Sequence, residues 1–361
     1  MSTPWDFPSY VSSVYIYLAA PPIILSVGIV GNAMAAVVLL QRTMRSSTSS
    51  MYLIALAFVD TIVLLTGLVR EWIKYGISPY REHFGYWMMK PSDVRDYTDA
   101  GCKLHMFILY TTIHISAWLL VCLAVDRVIA VFIPHKSKLL CTHNVTLGAI
   151  GVTVLVCIAL NAHFFVTVKL NTRSGYSWCA TNGDKNSTNA KWKKTYQIID
   201  AVVASYAPFV IMLSANLMII GKLMLIKYKR GQMVSYSSSN DSKLNTMTAI
   251  LLTVNFVFFV TTCPIVVLKK YYTVWFDLNT WEGYMNNELA FAICNILFYL
   301  NSALNFLLYC ISGPRFRREF MVLVRRCQGR ARVAPEELSM NGASTRQTQL
   351  HSQTVFSVAD K

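Results

Sequence analysis

Five stretches of this 361-residue chain contain no Asp, Glu, Lys or Arg, and their length leaves few folds open. They are Tyr17 to Leu40, Leu104 to Val125, Ala201 to Gly221, Leu244 to Leu268 and Leu289 to Pro314. Each reaches the roughly 20 residues that a helix needs to cross a bilayer. Two more blocks, Met51 to Val69 and Leu139 to Val168, are interrupted only by Asp60 and by His143 and His163. Backbone polar groups cannot stay unpaired in hydrocarbon, so blocks of this length are helices. The expectation is an all-α membrane protein, a bundle of seven spans. A composition 54% hydrophobic and 14% charged, with a mean hydropathy of +0.42, agrees.

Orientation follows from the basic residues of the loops. With the N-terminus outside, segments 41–50, 126–140, 222–247 and 311–361 are cytosolic and hold 19 of the 33 Lys and Arg residues. The segment before Tyr17 has none and no basic n-region, so the first span itself is expected to direct insertion into the membrane. The chain divides into an outer segment 1–16, a seven-span domain 17–313, a short amphipathic helix 314–328 and a disordered cytosolic tail 329–361. Of the sequons, the one at Asn186 falls in an outer loop and is the glycosylation candidate.

Cysteine placement fits this topology. Of nine cysteines only Cys102 and Cys179 face the oxidising side, so they make one obvious bridge, the alternative being two free thiols. Cys327 follows Arg325 and Arg326 behind an amphipathic run and is a palmitoylation candidate.

The acid and base Asp126-Arg127 interrupt aliphatic sequence where the third span meets the inner headgroups. Alone, the pair reads equally well as an ion pair marking a helix end. It stands, however, in a larger ordered set: Gly31-Asn32, Leu56-Ala57-Phe58-Val59-Asp60, Cys102, Ser116, Pro208, Phe258, Cys263-Pro264, Asn301, Asn305, Tyr309 and Phe316-Arg317. With these residues in register, the chain resembles a rhodopsin-like (class A) G protein-coupled receptor from about Tyr17 to Cys327. "LNSALNFLLYCISGPRFRREF" and "LNAHFF" make it most similar to invertebrate FMRFamide-type neuropeptide receptors.

Departures from the class pattern are specific. Span four lacks its tryptophan and proline. Thr262 stands where the switch tryptophan is usual, Phe306 replaces the proline of Asn-Pro-x-x-Tyr, and Asn216 takes the place of a common tyrosine. From Leu244 to Leu268 no acid is available to pair with Arg127, so the inactive lock between spans three and six is expected to be weak.

Asp60 is the acid deepest in the hydrocarbon, and an intramembrane acid is a functional candidate by default. Ser116, Asn301, Ser302 and Asn305 offer oxygen-bearing side chains suited to a hard cation. The resemblance implies a sodium ion at Asp60; the alternative is a protonated, hydrogen-bonded aspartate. Pro208 and Pro264 remove backbone donors and are expected to kink spans five and six, with Phe258 and Thr262 beside the latter hinge. The resemblance further implies that Arg127 leaves Asp126 on activation, with Asn216, Asn305 and Tyr309 in the same switch, as the inner face admits a heterotrimeric G protein. Lys227, Lys229, Arg230 and Lys243 would face that partner and the anionic membrane lipid. Serines and threonines of the tail, Ser339 to Ser357, would take phosphate from a receptor kinase and recruit arrestin.

Toward the outside, Arg70, Glu71, Lys269 and Glu288 give the cavity mouth both signs of charge, with Leu109, Tyr110 and Tyr272 along the wall. That mixture suits an extracellular peptide ligand carrying basic and aromatic groups. Competing classes lack their signatures: there is no inverted repeat for a transporter, no His-Glu-x-x-His for a metalloprotease, no Schiff-base lysine in span seven for a retinal pigment. The outer half of span three has Leu109 and Tyr110 where an amine receptor needs an acid. No catalytic residues and no nucleic-acid partner are expected. A constitutively active or orphan receptor with a non-peptide ligand is the remaining alternative, given Thr262 and the missing lock.

Overall fold

The computed structural model describes residues 3–79, 93–173, 176–181, 188–231 and 239–327. Six helices there are long and apolar enough to cross a membrane: Pro8–Leu39, Thr48–Ile77, Asp99–Phe132, His143–Thr167, Ile198–Lys222 and Phe256–Trp275. A seventh span is a bent pair, Trp281–Ala303 and Asn305–Ile311, with 59° between its halves. The seven blocks of the sequence are thus the seven spans. Span one starts at Pro8, so part of the segment before Tyr17 is helical, and span two runs on to Ile77, carrying Arg70 and Glu71 inside it. After span seven the helix Pro314–Cys327 puts Arg325 and Arg326 in its last turn.

Spans one, two and seven close around Ile24, Leu25, Val63, Leu64, Leu68, Tyr299 and Ala303. Gly28 makes that approach possible: a Cβ there would meet Leu64 Cδ1 at 2.5 Å and the Cβ of Ala303 at 3.0 Å. Asn32 fastens the same seam by donating its amide to the Ser302 carbonyl at 3.1 Å. A buried polar side chain must find a partner, and here it finds backbone on the neighbouring helix.

The proline expectations meet different outcomes. Helix Ser239–Trp275 runs through Pro264 without a break. In span five, Pro208 cannot donate to the Ala204 carbonyl, and the turn just before it, Val202–Tyr206, is a π-helix. The indole of Trp118 donates to the Val203 carbonyl of that turn at 3.1 Å, tying span three to span five. The sharp bend lies instead in span seven at Leu304, where Phe306 has replaced the proline.

The outer loop after span four forms a two-stranded antiparallel hairpin, Val168–Arg173 with Tyr176–Thr181, in which Leu170 faces Cys179. The helical reading of the sequence did not include this hairpin, although apolar and polar residues alternate on both sides of Ser174-Gly175.

Candidate functional site

At the inner end, Asp126 is buried and ion-paired with its neighbour Arg127. Thr48, the first residue of the span-two helix, completes the arrangement. Its hydroxyl donates to Asp126 Oδ2 at 3.1 Å and accepts from the Arg127 guanidinium at 3.2 Å. The thiol of Cys141 contacts the Asp126 carbonyl, and burial pushes that thiol up to about 11. Arg127 is therefore held by spans two and three. Tyr309, a few residues beyond the bend, is buried against Phe316, and its hydroxyl has no partner among the described residues. Asn216 is buried on span five. The side chains of Lys227, Lys229, Arg230 and Lys243 lie outside the described residues, as do Asn186, the side chain of Cys327 and the tail.

Mid-bundle, Asp60 is 1% exposed and accepts three hydrogen bonds: from Ser116 Oγ at 2.7 Å, Ser302 Oγ at 3.1 Å and Asn305 Nδ2 at 2.6 Å. Spans two, three and seven thus meet at one carboxylate. Asn301 is half-buried and is not among its partners. Phe258 and Thr262 are buried on span six, and the Thr262 hydroxyl has no partner among the described residues.

At the outer end, Cys102 and Cys179 form a disulfide with Cα atoms 5.5 Å apart. Two acids flanking Tyr97-Thr98 hold the hairpin as well: Asp96 accepts from the Cys179 N–H at 2.7 Å and Asp99 from the Leu170 N–H at 2.9 Å. Arg70 and Glu71 are both buried and paired with each other. Arg70 also donates to both carboxylate oxygens of Asp93, which Arg95 and Lys74 approach as well. Burial works against the charge on Asp93, but the hydrogen bonds from Arg95 and Arg70 outweigh it and hold the carboxyl well below the ordinary range. Glu71 thus meets Arg70 rather than standing free.

Leu109 is buried against the Gly67 position, and Tyr110 packs on Phe164 and Tyr196. Tyr110 also lies within electrostatic reach of Lys269, Asp200, Arg95 and Arg70. Tyr272 meets Phe291 edge to face, and Glu288 shares a hydrogen bond with Tyr284. Sequence reasoning missed Thr48, Asp93 and a buried network of His114, Asn161, Tyr196 and Asp200.

Seven spans, an outer disulfide, a mid-bundle acid and an inner acid-base pair define a seven-helix membrane receptor. The family model described as 7 transmembrane receptor (rhodopsin family) matches residues 31–309, and the chain belongs to that family. Its members are multi-pass plasma-membrane receptors that signal through G proteins and are not enzymes. The chain is 24% identical over 321 residues to the type-1 angiotensin II receptor A of Xenopus laevis, covering 86% of this chain and 80% of that one. It is 26% identical over 301 residues to the growth hormone secretagogue receptor type 1 of Oryctolagus cuniculus, covering 81% and 75%. The human type-1 angiotensin II receptor is 25% identical over 348 residues, covering 93% and 87%.

Proposed function

We propose that this receptor is switched by an extracellular peptide and passes the signal to a heterotrimeric G protein. The observation that carries the reading is the outer end, where a disulfide-pinned hairpin packs over the aromatic cluster of Tyr110, Phe164 and Tyr196 and a cluster of both signs of charge gathers at Arg70, Glu71 and Asp93. Relatives that are peptide receptors support it. The resemblance to FMRFamide-type receptors narrows the ligand to a short peptide amidated at its C-terminus. A peptide that fits one packing of the bundle better than the other shifts the population, and a partner binding only the opened inner face is linked to it.

The Asp60 site fits the sodium ion of the resemblance, since one carboxylate and two hydroxyls converge there. A bound cation would neutralise the carboxylate and favour the packing that brings spans two, three and seven together. On the inner side, release of Arg127 from Asp126 and Thr48 would accompany G protein entry. Phosphorylation of the tail by a receptor kinase would recruit arrestin, with Cys327 lipidated and Asn186 glycosylated. A constitutively active receptor with a non-peptide ligand is the second reading, favoured by the unpartnered Thr262 hydroxyl at the usual switch position. Screening amidated neuropeptides on cells expressing the chain, read by calcium and cyclic AMP, separates the two. High basal signalling with no peptide response overturns the peptide reading.

A further inference from the structure

Between spans three, four and five lies a chain of side-chain hydrogen bonds whose direction is fixed at every step. Asn161 Nδ2 donates to the Cys157 carbonyl at 2.8 Å, which orients the amide. Its oxygen accepts from the Tyr196 hydroxyl, and the remaining N–H points at His114 Nδ1 at 2.9 Å. A ring nitrogen facing a donor has to accept, so the His114 proton sits on Nε2. From there it is donated to Asp200 Oδ1 at 3.1 Å. His114 is fully buried, and the imidazole supplies Asp200 with a hydrogen bond rather than a positive charge.

Asp200 is left in an unusual position. Its side chain is only 23% exposed, it turns inward toward span three, and no Lys or Arg pairs with it among the described residues. A half-buried carboxylate facing inward gains from a cationic partner, and an uncharged acceptor such as Asn would satisfy His114 equally well. Among the other acids of this wall, Glu71 is occupied by Arg70 and Asp93 by Arg70, Arg95 and Lys74, while Glu288 shares a hydrogen bond with Tyr284. Through His114 and Asn161, Asp200 is joined to Tyr196, on which Tyr110 packs with ring centroids 6.1 Å apart. It is also placed immediately before the π-turn Val202–Tyr206, where the changed helical pitch re-aims side chains.

We propose that Asp200, aimed by His114, is the anionic subsite that receives a guanidinium or ammonium group of the activating ligand. This rests on the peptide reading above and deepens it, placing recognition of a basic side chain at Asp200.

The test uses two matched libraries of C-terminally amidated hexapeptides, one with arginine and one with citrulline at the basic position. Citrulline keeps the shape and loses the charge. Cells expressing wild type, Asp200→Asn or Asp200→Glu are compared at measured surface expression. Wild type and Asp200→Glu should respond to arginine peptides about ten- to a hundredfold more potently, the worth of a charge-assisted hydrogen bond, and Asp200→Asn should show a ratio near one. His114→Leu should lower the ratio and His114→Gln restore it; a ratio unmoved by His114→Leu overturns the part assigned to the imidazole. A second arm adds benzylguanidine or neutral benzylurea to purified receptor and reads the Tm. The guanidinium compound should raise the Tm of wild type and not of Asp200→Asn. That shift without any response to either library keeps the subsite and rejects the peptide reading. If neither arm shows an effect that depends on Asp200, the subsite is overturned.

Discussion

Asn305 donates its side-chain amide to Asp60 at 2.6 Å, one residue after Leu304, where span seven bends by 59°. Class members place a proline beside that asparagine, and here Phe306 stands in its place with the bend retained. The grip of Asn305, with Ser302 one turn earlier on the same carboxylate, holds the lower half of span seven against span two. Asp60→Asn keeps the volume and an acceptor but removes the charge. For an agonist found by peptide screening, wild-type binding should weaken in sodium chloride relative to N-methylglucamine chloride at equal ionic strength, and binding to Asp60→Asn should not change. Identical wild-type curves in the two salts would remove the ion from this site.

Arg127 is held by Asp126 and by Thr48 from span two, with no described acid of span six needed. Thr48→Val removes both hydroxyl bonds at nearly constant volume, a loss of about 1–3 kcal/mol from the closed arrangement. Basal nucleotide exchange should rise in that variant. Arg127→Ala should keep agonist binding and lose G protein activation. Full signalling by Arg127→Ala would return Asp126-Arg127 to a mere helix-end ion pair.

The hairpin over the outer mouth is tied to span three by the Cys102–Cys179 bridge and by Asp96 and Asp99. Cys102→Ser or Cys179→Ser should cost about 2–5 kcal/mol and lower surface expression or binding severely. Asp96→Ala alone, losing one backbone contact, should reduce binding only mildly. Normal binding in either cysteine variant would show that the acids suffice.

The spans were legible because hydrocarbon imposes a minimum apolar length, which a sequence displays directly. The Asp60 partners were legible in part, since Ser116 and Asn305 lie at positions the class pattern marks and Ser302 offers an oxygen on the same span as Asn305. Thr48, Asp93 and Asp200 were not, because each is defined by a partner 23 to 86 residues away. Glu71 shows the same limit from the other side. The sequence shows its charge next to that of Arg70, but not that both side chains are buried and paired with each other.

Asp93 links the stability of the outer face to pH. It is 1% exposed, Arg70 and Arg95 each grip both of its oxygens, and its carboxyl is held well below the ordinary range. A carboxyl depressed in the folded state stabilises fully above its unfolded value, near pH 4, and loses that contribution as pH falls toward the folded value. Asp93→Asn keeps the shape and leaves Arg70 to Glu71 alone, so it should cost about 3 kcal/mol at neutral pH. The Tm difference between wild type and Asp93→Asn should stay constant from neutral pH down to about pH 5 and shrink below about pH 4. Other carboxyls titrate in the same range, but they are common to both proteins and cancel in the difference. Thermal unfolding of the detergent-solubilised receptor across this range measures it directly. A difference that stays constant to the lowest accessible pH would mean that Asp93 stabilises by shape alone.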